Sequence, residues 1–278
     1  MKWAKENNTA VISGGASGIG LELAKRLLSL KMNVAIVDLN ISEHAKSILN
    51  EVNNSKRKIL FHQADVQDIN ALENFHSLVK QEFGNVHYLM GNAGIISMGT
   101  KPWEGRQELQ NIMNINFMGV VNLCNVFIPS MLKHGEDGIV VNTASKQGIT
   151  RPPGNYAYNL SKAGIVAYTE AISHAFLIEE NCKLKSSLLI PAFVYTPMIS
   201  AFISEKPDFA ATAEETIDYF FKALKRDEFY ILCPDNETNR KIDEKRIQWS
   251  VDDIIKSRPA MSRWHPDFKD EFENYMKD

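Results

Sequence analysis

The sequence predicts an α/β protein, a single doubly wound parallel sheet with helices on both faces. Short apolar runs alternate with amphipathic segments of helix length from residue 8 to about residue 235, and strand–helix alternation at this period implies βαβ units. The runs are apolar throughout rather than at every second position, as expected of strands covered on both faces. No internal repeat or low-complexity linker interrupts the pattern.

Thr9 to Ser13 is the first predicted strand and Gly18 to Leu30 the first helix, with Ile19, Leu23, Leu27 and Leu30 on one face. Asn33 to Val37 is the second strand, followed by a polar helix from Ser42 to Asn53. Ile59 to Gln63 and Ile69 to Phe83 form the third pair, and His87 to Met90 the fourth strand. A long helix follows over about Glu108 to Lys133, then a strand at Gly138 to Thr143. A second long helix covers about Tyr156 to Glu179, then a strand at Lys185 to Ile190. Beyond the mixed stretch Ala201 to Phe209, a helix is expected at Ala213 to Leu224 and a last strand at Phe229 to Cys233. The charged tail carries Trp249 and Trp264 but no strong period.

With 278 residues, 44% of them hydrophobic, the chain can bury one large core. Residues 1–278 are therefore expected to form one domain, a core over about 8–235 with an appendage over about 236–278. A net charge of −3, from 31 basic and 34 acidic residues, offers no basic excess to hold a phosphate backbone, so no nucleic-acid partner is expected. Cys124, Cys182 and Cys233 form no CxxC pair; no disulfide framework and no metal site are expected, and a reducing interior is the simpler reading. Met1 to Asn8 has no apolar stretch of signal-peptide length. The longest apolar runs look strand-sized, so no membrane span and a cytoplasmic location are expected.

Ser13-Gly14-Gly15-Ala16-Ser17-Gly18-Ile19-Gly20 joins the first strand to the first helix. Glycines there let the backbone turn tightly and let a pyrophosphate approach a helix N-terminus, where free N–H groups and the dipole favour negative charge. The G-x-x-x-G-x-G spacing departs from the common G-x-G-x-x-G, and a purely structural turn would use the same residues. Candidate cofactor contacts are Ser13, Gly14, Ser17, Gly18, Ile19 and Gly20, with Asp38 and Leu39 at the end of the second strand. Asp38 stands about 20 residues past the glycines, where an acid accepts hydrogen bonds from a ribose and repels a 2′-phosphate. No Lys or Arg follows it, so NAD is expected in preference to NADP; a helix-capping role for Asp38 is the alternative.

Tyr158 and Lys162 stand at i and i+4, one turn apart on one helix face. A nearby ammonium favours the phenolate and is expected to lower the tyrosine pKa, which suits Tyr158 to general acid/base work. Alone, such a pair also fits an ordinary surface helix. Ser145, just past the strand 138–143, lies where open α/β sheets bind ligands, and its hydroxyl could hold the oxygen that Tyr158 protonates.

With these residues in place the chain resembles the short-chain dehydrogenase/reductase family, and a Rossmann-like sheet is implied. The matching residues are Ser13-Gly14-x-x-x-Gly18-Ile19-Gly20, Asp65-Val66, Asn92-Ala93-Gly94, Asn116, Ser145, Tyr158-x-x-x-Lys162 and Pro191-x-x-Val194-x-Thr196, in family order over roughly residues 8 to 235. The resemblance implies that Asp65 and Val66 sit by the adenine, and that Asn92, Ala93 and Gly94 steady the central sheet and line the cofactor. It implies that Asn116 holds a water linking Lys162 to solvent, that Lys162 bonds the nicotinamide ribose, that Val194 and Thr196 fix the carboxamide, and that Pro191 is a further cofactor contact. The chain departs from the pattern at Ser13, where threonine is usual, at Gly91, where asparagine is common, and at Ala192, where glycine is.

The implied reaction is NAD(H)-dependent interconversion of a secondary alcohol and a ketone. Alternatives are an NADP(H)-dependent carbonyl reductase and a catalytically silent nucleotide-binding regulator. Candidate substrate contacts are Ser145, Gln147, Tyr158, Phe193, Met198 and Phe202, with Ile149 and Pro152 nearby; a small to medium, mostly uncharged substrate is expected. Relatives usually assemble as dimers or tetramers through the two long helices. Val120, Leu123, Phe127, Ile165, Tyr168 and Ile172 fit either such an interface or simple burial.

Overall fold

The computed structural model describes residues 1–54, 57–97 and 99–277. Its strands are β1 (Thr9–Ser13), β2 (Asn33–Asp38), β3 (Ile59–Gln63), β4 (Val86–Gly91), β5 (Gly138–Thr143), β6 (Leu184–Ile190) and β7 (Tyr230–Leu232). They form one seven-stranded sheet in the order β3-β2-β1-β4-β5-β6-β7, with every pairing parallel. The chain runs outward from β1 in one direction to β3, then returns to β4 on the other side of β1. That reversal opens a crevice at the carboxyl ends of β1 and β4.

The helices are α1 (Gly18–Ser29), α2 (Glu43–Val52), α3 (Ile69–Phe83), α4 (Arg106–Ile112), α5 (Gly119–His134), α6 (Lys146–Thr150), α7 (Tyr156–Ile178), α8 (Pro197–Ser200), α9 (Ala213–Lys225), α10 (Arg240–Ile255) and α11 (Lys269–Lys277). Ala10 and Ile12 of β1 point to one face, among Leu23 and Leu27 of α1, Leu49 of α2 and Phe220 of α9. Val11 points to the other, with Phe75 of α3, Leu123 and Phe127 of α5 and Ile165 of α7. The period-2 alternation of side chains thus finds an apolar layer on either side, which is why the strands are apolar at every position. Each fully buried Leu or Phe contributes about 1.5–3 kcal/mol. Side-chain caps start several helices: Ser42 accepts from the Ala45 N–H at 3.1 Å and Asp68 from the Ala71 N–H at 3.1 Å.

The structure corrects one expectation and adds to two others. The helix expected over 108–133 extends from Arg106 to His134, and its residues Met113–Met118 form a π-helical turn between α4 and α5. One such turn leaves the apolar period almost unchanged, so the sequence does not register it. That helix reaches a mean hydropathy of 1.5 over an 18-residue window and is long and apolar enough by length and composition to cross a membrane; its Val120, Leu123, Cys124, Phe127 and Met131 are turned into the core instead. Val120, Leu123, Phe127, Ile165 and Ile172 are all buried within the chain itself, so burial rather than an interface accounts for them. Finally, the tail without a period is ordered as α10, two 3-10 turns and α11. It organises around Trp249, 2% exposed, whose Nε1 donates to Ser262 Oγ at 2.8 Å beneath the Arg258 guanidinium 3.8 Å from its ring. The buried residues of α10 are Asp243, Trp249 and Asp252, polar-rich contacts that leave no aliphatic stripe.

Candidate active site

A cleft of about 360 Å³ opens where the strand order reverses, and the glycine turn forms its floor. Gly14 has φ +64° and Gly18 φ +50°, a region that side chains with a Cβ disfavour. A Cβ on Gly14 would lie 2.8 Å from Ala93 Cα, and one on Gly18 would lie 3.2 Å from Thr196 Cβ. Ser17 caps α1 without a side-chain hydrogen bond, and no acid stands in the first turn. The first N–H groups of α1 are thus left to the cleft that Ser17, Gly18 and Ile19 line. This cradle fits a dinucleotide pyrophosphate. Ser13 and Gly20 are not cleft-lining. The Ser13 hydroxyl donates to Met90 O at 3.3 Å and accepts from the N–H groups of Asn92 and Ala93 at 3.0 and 3.2 Å, while Gly20 abuts the Gly14 carbonyl. Both shape the turn from behind.

Asp38 and Leu39 line one end. One carboxylate oxygen of Asp38 accepts from the Ala16 N–H at 3.0 Å and the other from the Asn40 N–H at 3.2 Å, so the acid ties β2 to the glycine turn rather than capping a helix. Asp65 and Val66 follow along the wall, with Asp65 accepting from the Gln67 N–H at 2.9 Å and the Val66 carbonyl held by Asn122 at 3.1 Å. Asn92 donates to Gly14 O at 3.0 Å and accepts from Thr143 Oγ1 at 3.1 Å. It thereby joins the ends of β1, β4 and β5, beside Ala93 and Gly94 in the lining.

At the other end, Asn155 accepts from the Tyr158 N–H at 3.2 Å and so caps α7. Ser145 caps α6 by accepting from the Gln147 N–H at 3.2 Å, and it lines the cleft together with Tyr158. Lys162 is 4% exposed. Its Nζ donates to Thr143 O at 2.8 Å and lies 5.6 Å from the centre of the Tyr158 ring. Burial pulls the Lys162 ammonium down to about 8. Loss of water around the phenolate also pushes the Tyr158 phenol up to about 12, against a smaller lowering by the neighbouring Ser145 hydroxyl. The expected lowering of the tyrosine pKa by the ammonium is not found; loss of water around the phenolate sets the direction instead.

Asn116 lies in the π-helical turn, fully buried. Its Oδ1 accepts from the Ile95 N–H at 2.7 Å, and its Nδ2 donates to Ile95 O at 2.9 Å and Ser161 Oγ at 3.2 Å. A Cβ on Gly94 would sit 3.2 Å from Asn116 Oδ1 and 3.7 Å from Lys162 Nζ, so Asn116 stands beside the lysine as the resemblance implies. Its amide is held in place by Ile95 and Ser161.

Pro191, Phe193, Val194, Thr196, Met198 and Gln147 line the remaining walls. Phe202 is 50% exposed and, like Ile149 and Pro152, stands outside the lining. The sequence reading missed Ile95, Ile96, Ile115, Ala192 and Ile199. These are apolar residues in loops, in the π-helical turn (Ile115) or in the short α8, which carry no chemical signal; their adjacency to Gly94, Asn116, Pro191 and Met198 was the available pointer.

The profile of the short chain dehydrogenase family matches residues 8–207. An uncharacterised oxidoreductase of Saccharomyces cerevisiae is 28% identical over 69% of this chain, and the match spans 62% of that relative's length. The 1-deoxy-11-beta-hydroxypentalenate dehydrogenase of Streptomyces exfoliatus is 23% identical over 93% of this chain and 94% of its own. Among solved structures, a short chain dehydrogenase/reductase from Burkholderia phymatum in complex with NAD superposes with a TM-score of 0.80 at 25% identity, covering 93% of this chain and 97% of that one. The family profile covers the glycine turn and β1 to β6. The chain belongs to the short-chain dehydrogenase/reductase family of oxidoreductases.

Proposed function

We propose that this protein is an NAD(H)-dependent oxidoreductase that interconverts a secondary alcohol and a ketone, with Tyr158 as general acid/base. The observation that carries this reading is the convergence of Ser145, Tyr158 and Lys162 on one end of a cleft whose other end is a phosphate-sized glycine cradle. NAD(H) would supply the acceptor or donor of the hydride. Gly14, Ser17, Gly18 and Ile19 would hold its pyrophosphate, Asp38 its adenosine ribose, and Val194 and Thr196 its carboxamide. The preference for NAD over NADP rests on Asp38 and on Lys162, which donates to Thr143 O, being the one cation among the described lining residues.

Ser145 would orient the substrate oxygen against the phenol. The half-buried phenol keeps its proton at neutral pH, which is the form that donates to a ketone oxygen in reduction. Oxidation needs the phenolate, and the Lys162 ammonium would stabilise it as the alcohol proton arrives. Ile96, Phe193, Met198 and Ile199 with the single amide of Gln147 support an uncharged, largely apolar substrate. We also propose that residues 236–278 belong to the same domain, and that copies of the chain associate through the two long helices, where Met118 of the π-helical turn before α5 and Leu160 of α7 stay exposed.

The test is a panel of secondary alcohols with NAD⁺ at alkaline pH, followed by NADH absorbance. Turnover with NAD⁺ and little with NADP⁺ is expected. NADH binding with no turnover across the panel would favour the silent nucleotide-binding regulator instead.

A further inference from the structure

α6 is five residues long, too short to hold its own geometry, yet its cap is Ser145. On one side it rests on α7. A Cβ on Gly148 would lie 2.6 Å from the Lys162 carbonyl carbon, so the two backbones are in direct contact at the lysine. On its other side Lys146 reaches the C-terminal segment, with its Nζ 2.7 Å from Asp243 Oδ2 of α10 and the two side chains only 15% and 5% exposed. The same segment braces the facing wall. The Asn236 N–H donates to Phe209 O at 3.0 Å, and its side chain donates to Asp208 O at 2.6 Å and Ala210 O at 3.3 Å. The Phe209 ring stands 5.1 Å from that of Phe193 in the cleft wall. α10 lies beyond residue 207, where the family match ends.

We propose that Asp243 is a positioning residue for Ser145, acting through Lys146, and that the C-terminal segment is the brace that sets the substrate end of the cleft. The proposal rests on the functional reading above. A buried ion pair contributes little net stability, because desolvation offsets the attraction, but it fixes one arrangement and is costly to break from one side. Here the arrangement fixed is that of the first residue of α6, directly after the hydroxyl that would hold the substrate oxygen.

Hydrogen exchange of the Lys146 to Arg151 amides in the full-length protein tests the brace without any turnover. In Asp243→Ala these amides are expected to exchange about tenfold faster than in wild type, with β4 unchanged. In the alcohol assay the same variant is expected to lose about tenfold or more in kcat while its Kd for NADH stays as in wild type. Where Asp243→Ala does not fold, the uncharged double variant K146M/D243L is measured in the same way. Unchanged exchange in a folded variant overturns the proposal. So does faster exchange with kcat unchanged in an active enzyme, since the segment would then be structural only. An inactive wild type would count against the functional reading alone, and the exchange result would still decide the brace.

Discussion

At the scale of single residues, Lys162 and Tyr158 hold protons differently in the folded and unfolded chain. Lys162 falls to about 8 from 10.5 on burial. Between those values the unfolded chain binds more protons, so this residue makes stability rise with pH. Tyr158 climbs to about 12 from 10.0; above pH 10 the folded chain binds more protons, and stability falls with pH. From pH 8 to 10, then, the thermal midpoint of wild type should rise relative to that of Lys162→Met. Parallel midpoints over that range would mean that the lysine is not desolvated. Gly14 carries a different demand. With φ +64° and Ala93 Cα 2.8 Å from any Cβ, Gly14→Ala should lose about 1–3 kcal/mol in urea denaturation from backbone strain, and NADH affinity should fall with it.

At the scale of elements, helix caps separate stability from function. Thr212 accepts from the Glu215 N–H at 3.1 Å, and Glu215 returns a bond to the Thr212 N–H at 2.8 Å, a full capping box for α9 on the face of the sheet that α1 and α2 also cover. Thr212→Ala should cost about 1 kcal/mol of unfolding free energy and leave NADH binding intact, as calorimetry and fluorescence titration would check. Elements with such punctuation were legible in the sequence. α3 follows its Asp68 cap and ends at Phe83 as expected, and β1, β3 and β5 match their apolar runs residue for residue. The π-helical turn was not legible, because inserting one wide turn at Met113–Met118 leaves the core-facing residues on nearly the same side. α6 and α10 were not legible either, since one is too short to show a period and the other is held by Trp249, Asp243 and Asp252 instead of leucines.

At the scale of the whole molecule, the reversal of strand order beside β1 brings residues from Gly14 to Met198 to one cleft. The reacting groups could be named from sequence because chemistry restricts them to few residue types. The protonation of Tyr158 and the apolar walls could not, since both depend on how much water the finished fold excludes. The tail is tied in through α10, whose Asp243 pairs with Lys146 of α6 and whose Ile247 packs against the core, and it holds two of the four tryptophans, Trp249 and Trp264. Circular dichroism and tryptophan fluorescence should therefore report one coincident unfolding transition; an earlier fluorescence transition would show that residues 236–278 melt separately. The most direct test of the account is Tyr158→Phe, assayed beside wild type for NAD⁺-dependent alcohol oxidation and for NADH binding. The phenylalanine variant should bind NADH as wild type does and lose about a thousandfold in kcat. Turnover at the wild-type rate without the phenol would contradict it.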